Sequence, residues 1–455
     1  MTTVSPALSV LPAGDRRAPN QQIWPLTAAT TPSGHLAIGG CDVVDLVARF
    51  GSPLYILDEA TLRTACQQYR AALTRLYPQA PHRILYASKA WSCLAVCAIV
   101  AREGLYIDAV SAGEILTAIE AGVPGDRIYF HGNNKSPEEL RYGLEWGVTV
   151  VADNWHDLHG LQAWGGDRRP RVMLRVTPGI ECHTHEYIRT GHLDSKFGFD
   201  PNEMPAVLAF ASQQNWEVVG LHAHIGSQIF ELQAHRDIVA ALLPWYREGR
   251  ETYNLPFTEL NVGGGLGIRY TETDDPPTIA DWVEAVVAGM GEVWAGSGLP
   301  WPTLLCEPGR SLIGPACVTA YTVGSQKTVP GIRTYVAVDG GMSDNPRPIT
   351  YQSRYSSLLA NRATAAADTV VTVAGKHCES GDVLLRDALL PAPTSGDILV
   401  VASTGAYNAS MASHYNRLPK IAAVVVADGE ANLILRRETP SDLLRQDCLP
   451  DRLRG

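Results

Sequence analysis

The chain has 455 residues, too many for one ordinary hydrophobic core, so two domains or one large barrel with an addition are expected. Apolar residues make up 45% and charged residues 18%, normal for a soluble enzyme, and a net charge of −10 offers no basic footprint for nucleic acid or for an anionic membrane. No apolar run approaches a membrane span, the N-terminus has no signal-peptide pattern, and nine scattered cysteines (41, 66, 93, 97, 182, 306, 317, 378, 448) read as reduced thiols of a cytoplasmic protein.

Residues 1–30 are rich in Pro, Thr and Ala without periodicity, which predicts a loose, flexible arm. Residues 31–57 contain a strand, a short helix and "SPLYIL", expected to join a later β domain. From 58 to 310 short apolar runs alternate with helical patterns. The helix-like segment Glu59–Arg75 precedes the first strand. Strands are expected at Arg83–Ser88, Tyr106–Val110, Arg127–Phe130, Val148–Ala152, Arg171–Val176, Val218–Ile225, Thr258–Val262 and Thr303–Cys306. Helices such as Ser92–Arg102, Ala112–Ala121, Pro137–Trp146, Pro201–Asn215 and Ile279–Trp294 fall between them. Strands alternating with helices demand parallel pairing, and eight units over about 250 residues predict a (β/α)8 barrel, with a doubly wound open sheet as the competitor. Residues 311–455 change character. Val318–Val323, Thr334–Val338, Val370–Val373, Ile398–Val401, Ile421–Val425 and Leu433–Leu435 are short β-like runs broken by Gly, Pro and Asp, which predicts a mainly β C-terminal domain.

The polar residues of interest stand at the carboxyl ends of the expected barrel strands, where such barrels carry their active sites. In strand order they are Lys89; Asp108 with Glu114; "HGNNK" (131–135); Arg175; "HAHIGSQ" (222–228); "NVGGGLG" (261–267); and "CEPGR" (306–310). Three glycines at 263–265 can expose backbone N–H groups to a phosphate, although a tight turn explains them equally well. Glu307 before Pro308-Gly309-Arg310 would by itself be a structural ion pair. Lys89 after an apolar strand is sharper, because a lysine in a low-dielectric pocket loses basicity and can form a Schiff base. A phosphate cradle, a strand-end lysine and a strand-end carboxylate together are what pyridoxal 5'-phosphate requires.

Other groups carry less. "ECHTHE" (181–186) has no usual zinc spacing, Cys93 and Cys97 look like helix packing, and His222 with His224 share a strand face with no third ligand nearby, so no metal is expected. "KHCES" (376–380) sets Cys378 and Glu379 between β-like runs, and alone leaves a nucleophile, a metal ligand and a plain thiol open.

Seven motifs in order, "YASKAWSCLAV", "HIGSQ", "GGGLGI", "CEPGR", "DGGMSDNPRPITY", "HCES" and "TGAYNASM", resemble those of the diaminopimelate decarboxylases, a branch of the fold-type III pyridoxal-phosphate enzymes. The resemblance runs from about residue 50 to 440. It implies a β/α barrel followed by a β domain in an obligate homodimer with shared active sites. It implies decarboxylation of meso-diaminopimelate to L-lysine and CO2 through a Schiff base on Lys89. Glu307 would contact the pyridine nitrogen, and His224 would lie on the ring face. Ser227, Gly264, Gly265, Gly309, Arg310 and Tyr407 would hold the phosphate, and Asp108, Glu114 and Arg175 would set the lysine and histidine around it. Arg310, Arg347 and Tyr351 would read the substrate's far carboxylate, since a guanidinium pairs bidentately with it, Glu379 would read its far ammonium, and Tyr407 would also contact the substrate. Cys378 and Glu379 would reach into the partner's barrel, the thiol as a candidate proton donor. Rival readings are a decarboxylase of ornithine, arginine or lysine, a racemase, or a non-catalytic regulatory relative.

Overall fold

In a computed structural model, residues 18–454 are described apart from 167 and 181–193. Eight strands form a closed parallel barrel: β1 (His82–Ala87), β2 (Tyr106–Ala109), β3 (Ile128–Phe130), β4 (Thr149–Ala152), β5 (Arg171–Arg175), β6 (Glu217–His222), β7 (Glu259–Asn261) and β8 (Thr303–Cys306). β8 pairs with β1 (Cys306 opposite Ile84), which closes the ring and excludes the open sheet. Strands such as Ile128–Phe130 and Thr149–Ala152 are fully buried short runs, as a sheet wrapped by helices requires, while Glu259–Asn261 is buried but carries two polar residues.

The helices start where the sequence supplies caps. Ser136 and Glu139 form a reciprocal capping box at Pro137–Trp146, and Thr278 with Asp281 does the same at Ile279–Trp294. Inside the ring, Leu85, Tyr129, Val151, Met173, Val219 and Leu305 form a separate apolar layer. Below it, buried Glu259 accepts from Tyr129 Oη at 2.8 Å, pairs with Arg171 at 3.0 Å and also bonds Arg83, sealing the amino-terminal end. The opposite end stays open and polar.

The second unit is mainly β. Its central strand, Cys317–Val329, pairs antiparallel with Ile398–Val401, Arg333–Val338 and the early strand Leu54–Asp58. Leu54–Asp58 also pairs in parallel with Ala422–Ala427, so a strand before the barrel is built into the sheet after it. Val383–Leu390 and Ser357–Leu359 are further strands beyond those expected from the sequence.

The loose arm predicted for residues 1–30 is corrected over its described part. Asn20 is fully buried, and its Nδ2 donates to Gly267 O (3.2 Å) and Pro277 O (2.8 Å), while Ser403 Oγ donates to Ile23 O (2.9 Å). Side-chain bonds to distant backbone hold this segment without any helical or strand periodicity. No helix among the described residues is long and apolar enough to cross a membrane.

Candidate active site

The carboxyl ends of the strands converge on one polar mouth. β1 runs into a single tight turn, Ser88–Ala90, that presents Lys89, whose backbone is pinned because Ala87 N donates to Pro308 O (3.1 Å) and Tyr407 N to Ala90 O (2.8 Å). Lys89 keeps an accessible side chain although protein surrounds it. The expectation that its surroundings make it less basic is corrected. Burial pulls it down, but Asp108, then Tyr407 and Glu307, outweigh that and hold it above its ordinary value. Asp108 is itself pushed up by burial. Glu114 Oε2 accepts from Val110 N (2.7 Å), and Arg175 faces Asp153 at 3.4 Å.

Glu307, at the end of β8, is gripped from three other strand ends. Asn261 Nδ2 at the end of β7 donates to Oε1 at 2.6 Å, His131 Nε2 after β3 lies 2.9 Å from the same oxygen, and His222 Nε2 on β6 lies 3.0 Å from Oε2. Burial alone would favour the neutral acid, yet the two imidazoles hold the carboxyl well below its usual range. The view that His222 lacks further ligating neighbours is therefore corrected, since His131, His222 and Glu307 bring ligand atoms within 4.8 Å of one another. His222 Nε2 is hydrogen-bonded to Glu307, and His131 Nε2 stands at ion-pair distance from it.

The glycine run does two jobs. Gly263 takes a φ of 70°, and a Cβ there would lie 2.6 Å from His224 Nδ1; one on Gly264 would run into the Glu307 carbonyl oxygen. Gly264 N–H donates to His224 Nδ1 at 3.1 Å, so this amide orients the histidine rather than pointing free into the mouth. Burial first, and then Lys89 and Arg175, hold His224 well below the usual imidazole range. Gly309 also packs tightly, with a Cβ there 3.0 Å from that of Ala87.

Arg310 opens the turn after β8 and donates from Nη2 to Ser227 Oγ (3.0 Å) and from Nη1 to Tyr270 Oη (2.6 Å), with the Tyr407 ring 4.8 Å beneath it. Tyr407 holds a positive φ of 69°, a conformation that non-glycine residues keep only when packing enforces it. Arg347 begins the short helix Arg347–Tyr351 of the second unit and donates to Tyr270 Oη and Tyr355 Oη, both at 2.8 Å. Tyr351 is half-buried, its ring 6.0 Å from the Arg347 guanidinium. A groove of about 1170 Å³ runs past Trp24, Ile349 and Leu389, and neither Lys89 nor Glu307 lines it.

Cys378 and Glu379 sit apart from this cluster. They lie exposed on the loop between Thr369–Ala374 and Val383–Leu390, where Cys378 N donates to Asn416 Oδ1 (2.8 Å) and Tyr415 Oη to Glu379 Oε2 (3.4 Å). "ECHTHE" falls outside the described residues. His131, Asn261, Tyr270 and Tyr355 had been given no role from the sequence. Only the recurrence of polar residues at strand ends pointed to the first two.

The residues present fit pyridoxal phosphate. A turn whose backbone a Cβ would obstruct lies beside Ser227 and Arg310, both anion donors; a buried carboxylate is held ionised; and a lysine opens on the same mouth.

The family model described as "Pyridoxal-dependent decarboxylase, pyridoxal binding domain" matches residues 59–314. The chain is 58% identical over 447 residues to the diaminopimelate decarboxylase of Synechocystis sp., covering 96% of this chain and 95% of that one. It is 44% identical to the enzyme of that name from Bacillus subtilis, covering 92% and 97%. The crystal structure of diaminopimelate decarboxylase from M. jannaschii in complex with L-lysine superposes with a TM-score of 0.87 at 30% identity, covering 96% of this chain and 100% of that one.

Proposed function

The chain belongs to the pyridoxal-dependent diaminopimelate decarboxylases, and from that premise we propose how its residues divide the work. It is a carboxy-lyase that uses pyridoxal phosphate to convert meso-diaminopimelate to L-lysine and CO2. When bound, the cofactor supplies a sink for the electron pair left as CO2 departs.

Lys89 would hold the cofactor through its amine. Glu307, kept ionised by His131 and His222, would keep the cofactor's ring nitrogen protonated, and His224, oriented by Gly264, would help to hold the ring. Ser227, Gly265, Gly309, Arg310 and Tyr407 hold the phosphate. Asp108 and Arg175 set the charge around Lys89. The observation that carries the substrate reading is the pair Arg310 and Arg347: both are buried, they meet at one phenol, and neither has a carboxylate within ion-pair distance among the described residues. A pair of buried cations without an anion is a receptor for one. With Tyr351, they receive the carboxylate that does not react.

We further propose a cytoplasmic homodimer with shared sites. Eight free cysteines among the described residues suit a reducing compartment, and Cys378 and Glu379 are exposed on their own chain, so they serve the partner's mouth. There Glu379 takes the far ammonium. After CO2 leaves, the carbon that carried it receives a proton from Cys378 or from Lys89. CO2 release from meso-diaminopimelate should far exceed that from ornithine, arginine or lysine; negligible turnover of diaminopimelate alone would refute the assignment. Lys89→Ala should abolish the visible band of the bound cofactor.

A further inference from the structure

Arg310 and Arg347 come from different units of the fold and donate to one atom, Tyr270 Oη, at 2.6 and 2.8 Å. Two like charges converging on a neutral acceptor repel each other strongly away from water. The Tyr270 ring serves both as well, lying 4.9 Å from the Arg347 guanidinium and 5.9 Å from that of Arg310. Tyr355 packs edge-on against it at 5.2 Å and accepts a second bond from Arg347. The groups facing the Tyr270 hydroxyl are therefore Arg310, Arg347 and Tyr355, with Tyr407 beyond Arg310. Burial pushes the hydroxyl's pKa up, but the two guanidiniums outweigh that and hold it below the ordinary phenol value.

We propose that Tyr270 is a positioning residue for substrate choice: its hydroxyl holds Arg310 and Arg347 as one carboxylate-binding pair and so sets the preference for a substrate with a second, unreactive carboxylate. This rests on the reading that the two arginines receive that carboxylate. Tyr270 touches no reacting atom. Its hydroxyl keeps two repelling cations at the separation a single carboxylate needs before the ligand arrives, which is preorganisation. A phenylalanine would leave the ring and remove the shared acceptor.

The test uses the holoenzyme and two ligands, L-lysine and 1,5-diaminopentane, which differ only by the carboxylate. In Tyr270→Phe, the calorimetric Kd for L-lysine should rise about tenfold or more, while that for the diamine stays within about twofold. The KM for meso-diaminopimelate should rise with it and kcat should change far less. In the unmutated enzyme, saturating L-lysine should move to higher pH the ultraviolet tyrosinate step that Tyr270→Phe removes, and the diamine should not. Equal weakening of both ligands, unchanged L-lysine affinity, or a tyrosinate step blind to L-lysine would overturn the inference. Arg347→Met separates the two layers. If it leaves L-lysine affinity intact, the arginine-pair reading itself fails; if it weakens L-lysine while Tyr270→Phe does not, only the role of Tyr270 falls.

Discussion

Replacing Lys135 by methionine tests whether the mouth is built on a buried ion pair. Lys135 and Asp157 are both essentially inaccessible, and Nζ donates to Asp157 Oδ2 (2.8 Å), Gly132 O (2.6 Å) and Val151 O (2.7 Å). The substitution keeps the stem's packing but leaves one buried carboxylate without its cation and two carbonyls without this donor. Breaking such a pair from one side costs about 3–5 kcal/mol, far more than an exposed pair is worth. A unit of the barrel's size shifts by about 2 °C per kcal/mol, so its melting midpoint should fall by about 6–10 °C. Lys135→Met with Asp157→Asn removes the stranded charge and should recover about half of that loss. Differential scanning calorimetry of the unmutated protein, the two single variants and the double variant at one pH reads the outcome. A single-variant shift under about 2 °C, or a double variant that loses the sum of the two single effects, would refute the reasoning. Because Asp157 Oδ2 also accepts from Asp153 N (3.0 Å) and Asp153 faces Arg175, the single variant should weaken turnover too.

Two further outcomes are expected. Gly264→Ala would push a Cβ into the Glu307 carbonyl and displace the His224 contact, so cofactor affinity measured by equilibrium dialysis should fall about tenfold or more; an unchanged affinity would show that the turn yields freely. His235 is buried against Trp282 with neither ring nitrogen hydrogen-bonded among the described residues, and burial pushes its pKa down from 6.5 to about 4. The unfolded chain then binds a proton there that the folded one refuses, so stability is lost as pH falls through that window, by about 3 kcal/mol at its foot. His235→Phe should flatten the fall in melting temperature between pH 6.5 and 4, and an unchanged slope would exclude His235 as its source.

The barrel was legible because most of its strands have short apolar centres that alternate with longer helical patterns, and all eight appear within a few residues of their expected places. The strand Val383–Leu390 escaped because exposed Arg386 and Asp387 interrupt its apolar pattern. The grip on Glu307 was not legible for a different reason. Its partners sit on three other strands, and only closure of the ring brings them together. Lys89 shows the same limit: a sequence reveals that a lysine will be enclosed, but the sign of its shift depends on Asp108 and Glu307 across the mouth. Tyr270, at the end of the glycine motif, becomes meaningful only once Arg347 arrives from the second unit.

The strand Leu54–Asp58 carries a consequence for synthesis on the ribosome. All five of its residues are buried in the finished sheet, yet its neighbours begin at Cys317 and Ala422. At about 5–20 residues per second, this sticky segment waits on the order of 10–50 s for its first partner to be translated. The barrel can close during that delay, but the sheet cannot, so the nascent chain holds an unpaired apolar ribbon through most of its birth. Chaperone capture of ribosome-bound chains should therefore centre on this segment and cease only when the last strands emerge.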